Sequence, residues 1–240
     1  MGVWATMAPV PEVPPTPENN EPTHRQPKAG WGCLILHLLV IYLIVPLPLP
    51  SGCSYSPAQG KARQIQAVNN CRQVVIALHS YAIEYGSSYP NGATANDAFR
   101  QMFKAGVVND ERIFGAPASP YVGDNNLGEA PEYARALEFG ENHWAMTKGL
   151  GLKTNGAVPL VFENPARASW PPQWDGRLIG IAQPGRIWKD DKVIVGRNDG
   201  SVHAEKLARG DNPLMTLEPI EDGQNLFELA GSHEILDVAR

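Results

Sequence analysis

The chain has 240 residues, a formal net charge of −5 at pH 7 and an isoelectric point near 5.7; no basic stripe is left over to neutralise phosphates, which excludes a nucleic-acid binder. Hydrophobic residues at 43% and charged residues at 19% suit a globular domain. The length, less a tail and an apolar segment, leaves one domain rather than two.

Residues 1–30 are rich in Pro, Glu, Asn and Thr. They carry too little apolar surface to offset chain entropy, which predicts a disordered, Pro-rich tail. Residues 31–50 follow as a transmembrane or signal-anchor segment. Cys33 to Val45 is almost continuously apolar, with His37 its only strongly polar side chain. It reaches the roughly 20 residues of a spanning helix only when the stretch through Pro46, Pro48 and Pro50 is counted. Arg25 and Lys28 precede it and place the N-terminus in the cytoplasm. Residues 51–207 form the predicted extracytoplasmic domain. Within it, a long amphipathic helix is predicted from Ala58 to Tyr85, its apolar stripe formed by Ile65, Val68, Cys71, Val75, Leu78, Ala82 and Tyr85. A shorter helix spans Asn96 to Ala105, with Asn96 as N-cap and Phe99, Met102 and Phe103 on the buried face.

From about residue 115 the pattern changes to loops alternating with short apolar runs. His143–Thr147, Pro159–Phe162, Leu178–Ala182, Arg186–Lys189, Lys192–Gly196 and Ser201–Leu207 read as strands. Asp190-Asp191 and Asn198-Asp199-Gly200 are hairpin signals. Helices first and a meander later define an α+β fold: an N-terminal membrane helix, then a long amphipathic helix packed on one face of a small antiparallel β-sheet. Residues 208–240 read as an acidic C-terminal extension, with one short helix near Asn225–Val238.

Three stretches then carry a family resemblance. The segment from Gly32 through Cys33 to Ile41 lines up with a Gly|Phe-Thr-Leu-Ile-Glu-Leu-Leu-Val-Val pattern. The helix KARQIQAVNNCRQVVIALHSYAIEYGSSYP has a basic start, an Asn-Asn pair, a His-x-Tyr-Ala segment and a closing Tyr-Pro. The late VIVGRNDGSVH carries an Asp-Gly hairpin. In this order the motifs resemble the prepilin-like (pseudopilin-type, type II secretion G-like) proteins of Verrucomicrobia and Planctomycetes. The resemblance implies a single-pass protein of the bacterial inner membrane with its main domain extracytoplasmic, possible processing after Gly32 to leave Cys33 first, and other pseudopilins or secretion-system components as partners besides the lipid bilayer. Two departures stand out. His37 occupies the position of the family's Glu, and a neutral imidazole cannot pair with a neighbour's free amine. Pro46 to Pro50 interrupts the helical spine. Anchoring and fold therefore carry over better than filament assembly. Leu49-Pro50-Ser51-Gly52-Cys53 also resembles a lipobox, with Cys53 as the lipidated residue. Uncleaved anchor, lipoprotein and pilin-type processing all stay open.

No chemistry-bearing spacing is present. The six histidines are scattered, without paired metal-ligand spacing. Asp199, Ser201 and His203 invite a hydrolase reading, but Asn-Asp-Gly is better explained as a turn. Asp175, Asp190, Asp191, Asp199 and Glu163 are solvated turn carboxylates rather than a calcium loop. His79 reads as a boundary histidine and Cys71 as a buried free thiol, with a Cys53–Cys71 disulfide as its alternative. Trp170 and Trp174, in a Pro-rich loop, form either an aromatic platform for a glycan or partner or a plug over the sheet. The expectation is a non-catalytic structural or interaction protein without cofactor or metal; the alternative is a cell-envelope lipoprotein that binds through Trp170 and Trp174.

Overall fold

A computed structural model describes residues 57–117, 119–180 and 183–239. The Pro-rich tail, the apolar segment 31–50 and the processing residues Gly32, Cys33 and Cys53 lie outside the described residues. Among the described residues no helix is long and apolar enough to cross a membrane.

Helix α1 (Pro57–Glu84) is 28 residues long, about 42 Å at 1.5 Å per residue. Proline at its first position has a preset φ and lacks only an N–H that no helical partner would use. The helix ends where the Ser87 N–H donates back to the Ala82 carbonyl at 2.7 Å. Its buried face is Ala67, Cys71, Val74, Val75, Leu78 and Ala82. Ile65 and Tyr85, expected on that face, are exposed. Ile65 sits about 120° around the helix from Cys71, and Tyr85 lies just past the last turn, stacked on Tyr81 at 4.4 Å.

Helix α2 (Ala95–Lys104) starts one residue earlier than expected, and Thr94 rather than Asn96 is its N-cap. Thr94 and Asp97 form a reciprocal capping box. Asn96 is buried, its amide donating to the Leu137 carbonyl at 2.9 Å. A 3₁₀ turn (Glu111–Phe114) follows. Its Phe114 packs on Phe99 and Phe103 at 5.2 and 5.7 Å. Burial of each such ring contributes about 1.5–3 kcal/mol.

The strands are β1 (Trp144–Thr147), β2 (Pro159–Glu163), β3 (Trp174–Asp175), β4 (Lys192–Arg197), β5 (Val202–Lys206), β6 (Leu214–Met215) and β7 (Ile235–Leu236). Five form an antiparallel sheet of order β5-β4-β2-β1-β7, and β3 pairs with β6 separately. The Asn198-Asp199-Gly200 turn joins β4 to β5 as expected. Of the run Leu178–Ala182 the described residues end at 180; those, and Arg186–Lys189, form no strand but a single bridge from Ile179 to Ile187. The Gly180 N–H donates to the Ile187 carbonyl at that bridge, while the Trp188 N–H donates to the Lys192 carbonyl and closes a turn instead of extending a ladder. Asp190-Asp191 lies in that turn, leading into β4.

The sheet is covered on both faces, where one was expected. Trp144, Met146, Val161 and Ile194 face α1 and α2. Ala145, Phe162, Val193 and Val195 face a second core with Trp174, Met215, Leu217 and Phe227. That layer comes partly from the acidic C-terminal stretch, which supplies β6, the short helix α3 (Leu226–Leu229) and edge strand β7. Two-sided burial explains strands that read as near-continuous apolar runs.

Helix and sheet meet closely at Gly196 in β4. A Cβ there would lie 2.8 Å from Val75 Cγ2 and 3.1 Å from Cys71 Sγ. Both neighbours are fully buried, so neither has room to yield. Gly196→Ala is expected to lower unfolding free energy by about 1–3 kcal/mol, read as a reduced urea midpoint at unchanged m-value; an unchanged midpoint would show that α1 is not seated on β4.

Candidate functional site

The most concentrated polar chemistry in the described residues is buried, and it centres on Glu163 at the end of β2. His143, just before β1, donates from Nε2 to Glu163 Oε1 at 3.0 Å. Trp188 donates its indole N–H to both carboxylate oxygens, at 3.1 and 3.0 Å. The Ile194 N–H of β4 donates to Oε2 at 3.0 Å. Arg186 brings its guanidinium to 3.6 Å from Oε1 and stacks over the Trp188 ring at 4.6 Å. The His143 tautomer follows from its other side. Asn164 is oriented by the Gly185 N–H, which its amide oxygen accepts, and therefore points its NH₂ at His143 Nδ1, 3.3 Å away. Nδ1 is thus an acceptor and Nε2 carries the proton. Burial pushes the imidazole below its ordinary range, opposed by the hydrogen bond and charge of Glu163. This is a closed node: His143, Glu163 and Arg186 are all nearly inaccessible to solvent. It lacks the access a substrate needs and acts by holding β1, β2 and β4 to the loop before β4.

The residues singled out from sequence fall elsewhere. Trp174 is 0% exposed, in β3, donating its indole N–H to the Glu163 carbonyl at 3.1 Å. Trp170 is half-buried, donates to the Phe227 carbonyl at 3.0 Å and meets the rings of Phe227 and His233 edge-on. The two rings plug the second core and do not form a two-ring surface platform. Cys71 is fully buried and among the described residues forms no disulfide, and burial pushes its thiol strongly up. His79 donates from Nε2 to the Asn198 carbonyl, 3.0 Å away, and stacks on Tyr89. Asp199 accepts the Ser201 N–H at 2.9 Å within the turn, and hydrogen bonding from Ser201 holds its carboxyl below the usual range. His203 is exposed, and among the described residues no hydrogen bond joins it to Ser201. Asp175 pairs with Arg177 at 2.6 Å, Asp190 with Lys192 at 3.2 Å, and Asp191 with Arg209. These carboxylates are dispersed in separate ion pairs.

The surface feature that the sequence reading missed lies on the outer side of α1. Ile65, Ile76 and Ile83 are 54%, 56% and 73% exposed. Their spacings of eleven and seven residues bring all three within about 20° of one line along the helix. Ile76 continues into a groove of about 540 Å³ of mixed lining, with Val107, Val108 and Ile113 beside Gln73, Glu84 and Asp110. The eleven-and-seven spacing was readable, but it is masked by the stronger three-and-four stripe of the buried face.

Residues 56–208 match the family described as SBP_bac_10, protein of unknown function (DUF1559), and the chain belongs to that family. No curated protein and no solved structure matches it.

The buried imidazole has a consequence for pH. Below the ordinary value of 6.5, the unfolded chain takes up a proton at His143 that the folded chain resists. The unfolded state then binds more protons, so this contribution to stability is full above that value and declines as pH falls through it towards the lowered folded-state value. Urea midpoints from about pH 8 to 5 are expected to fall for the wild type and to fall less steeply for His143→Gln; parallel profiles would place the acid sensitivity elsewhere.

Proposed function

We propose that this chain is a membrane-anchored, non-catalytic, pseudopilin-like structural or interaction protein of the bacterial cell envelope, related to type II secretion and type IV pilus systems. In this reading residues 31–50 hold it in the inner membrane and the domain stands outside the cytoplasm. It meets the corresponding helix of a second pseudopilin-type chain through the outer face of α1. The observation that carries the proposal is the isoleucine line Ile65–Ile76–Ile83 on a helix whose opposite face is fully engaged by the sheet. Isolated exposed apolar residues are ordinary. Three aligned along one helix form the stripe that helix-to-helix packing uses. The ordered prepilin-like motifs, two of which lie within the residues matched by the DUF1559 family, support the same class. The burial of Trp174 favours this reading over a lipoprotein that binds through both Trp170 and Trp174, although lipid at Cys53 would serve as an anchor equally well.

A photo-cross-linking amino acid at Ile76 or Ile83, in the full chain in its native host, tests the proposal. Products identified by mass spectrometry as a pseudopilin-type chain, or as a second copy, are expected from both positions. Ile220, 59% exposed on a different part of the domain, is the control. Equal or absent cross-linking at Ile76 and Ile83 relative to Ile220 would remove the outer face of α1 as the working surface.

A further inference from the structure

Three carboxylates converge beside the 3₁₀ turn. Glu111 begins that turn, Asp124 lies in the loop that follows, and Glu141 closes the loop before β1. Each offers one oxygen to a set lying within 4.8 Å of one another. Glu111 and Glu141 are buried; Asp124 is exposed. Gly123 makes the approach feasible, because a Cβ there would fall 2.5 Å from Glu111 Cβ.

The second observation is a buried oxygen without a partner. Glu111 is 0% exposed, and its Oε1 accepts the Leu137 N–H at 2.6 Å, but its Oε2 has no hydrogen bond. Glu141 accepts the Glu138 N–H at 2.6 Å through Oε2 and the Asp124 N–H at 3.4 Å through Oε1. The nearest arginines in sequence, Arg112 and Arg135, pair with Asp110 at 2.7 Å and Glu138 at 3.7 Å. Among the described residues no ion pair includes Glu111, Asp124 or Glu141. Burial raises the Glu141 carboxyl, and the charges of Glu111 and Asp124 add to that. A buried, unpaired oxygen on a carboxylate facing two others is the arrangement a bound cation resolves.

We propose that Glu111, Asp124 and Glu141 bind one calcium ion, which clamps the loop between residues 115 and 141 onto the 3₁₀ turn. The donors are all oxygen, which selects a hard cation. Calcium takes oxygens at about 2.3–2.6 Å, so ligands on opposite sides of the ion stand roughly 4.6–5.2 Å apart. The trio already fits within that span. Calcium also tolerates an irregular shell completed by backbone carbonyls and water, which suits a loop without regular structure. Asp124, at the surface, provides the entry path.

The test uses the full chain in detergent micelles after treatment with a chelator. Calorimetric titration with calcium chloride is expected to show one ion per chain, with a raised melting temperature in calcium relative to chelator. Asp124→Asn, at an exposed position, leaves the fold intact by circular dichroism and weakens binding by about tenfold or more. Glu141→Gln does the same from the buried side. Absence of calcium binding by the wild type overturns the proposal, and so does wild-type affinity in a folded Asp124→Asn variant.

Discussion

A carboxylate sealed inside a protein has to be solvated by the protein, and Glu163 sets this constraint on the whole domain. Its donors come from His143 before β1, Trp188 in the loop before β4, and Ile194 in β4 itself. Arg186 adds charge close by. These groups converge only when β1, β2 and β4 are in register and the loop is folded back across them. Removing one partner of such a buried charge costs about 3–5 kcal/mol, comparable to the entire stability of many domains. An apolar core would tolerate small slips of the sheet; this node does not. It therefore works as a specificity device for one strand arrangement, and its sealed position separates it from any substrate.

Fixing the sheet fixes what lies on either side of it. Gly196 lets α1 sit directly on β4, with Cys71 and Val75 against the glycine. The opposite face is closed by Phe162, Trp174 and Phe227, with Trp170 at the rim. Both faces of the sheet are thus spent on folding, and the residues that looked most like a binding loop are part of that closure. Among the described residues nothing covers the outer side of the long helix at Ile65, Ile76 and Ile83. Its isoleucines are held at defined positions by a rigid base, which is what a packing surface between chains requires.

Much of the fold was legible from local pattern. The three-and-four spacing through Cys71, Val75, Leu78 and Ala82 announced α1, the Asn-Asp-Gly turn announced the β4–β5 hairpin, and the apolar runs around residues 145, 161 and 194 announced the sheet centre. The misreadings share a physical cause, which is that the deciding partners are distant in sequence. Ile65 has helical spacing yet faces away, because the buried face is set by where Gly196 admits the helix. Thr94 outcompeted Asn96 as N-cap because Asp97 completes a reciprocal box with it. Strands β3, β6 and β7 are two residues each and exist only through pairing with far segments. Glu163 was visible only as one scattered acid, since its partners are spread from residue 143 to 194. The Glu111, Asp124 and Glu141 group, separated by thirteen and seventeen residues in an irregular loop, follows no spacing rule.

The central claim is that this rigid domain works while tethered at a membrane, since a stripe on one helix face is effective when the helices that meet it are confined to the same surface. The most direct measurement is the intact mass and N-terminal sequence of the mature chain from its native host, taken from membrane and soluble fractions alike. The account predicts a membrane-bound chain that retains residues 33–50 or carries lipid on Cys53. A soluble, unlipidated chain starting beyond residue 50 would contradict it.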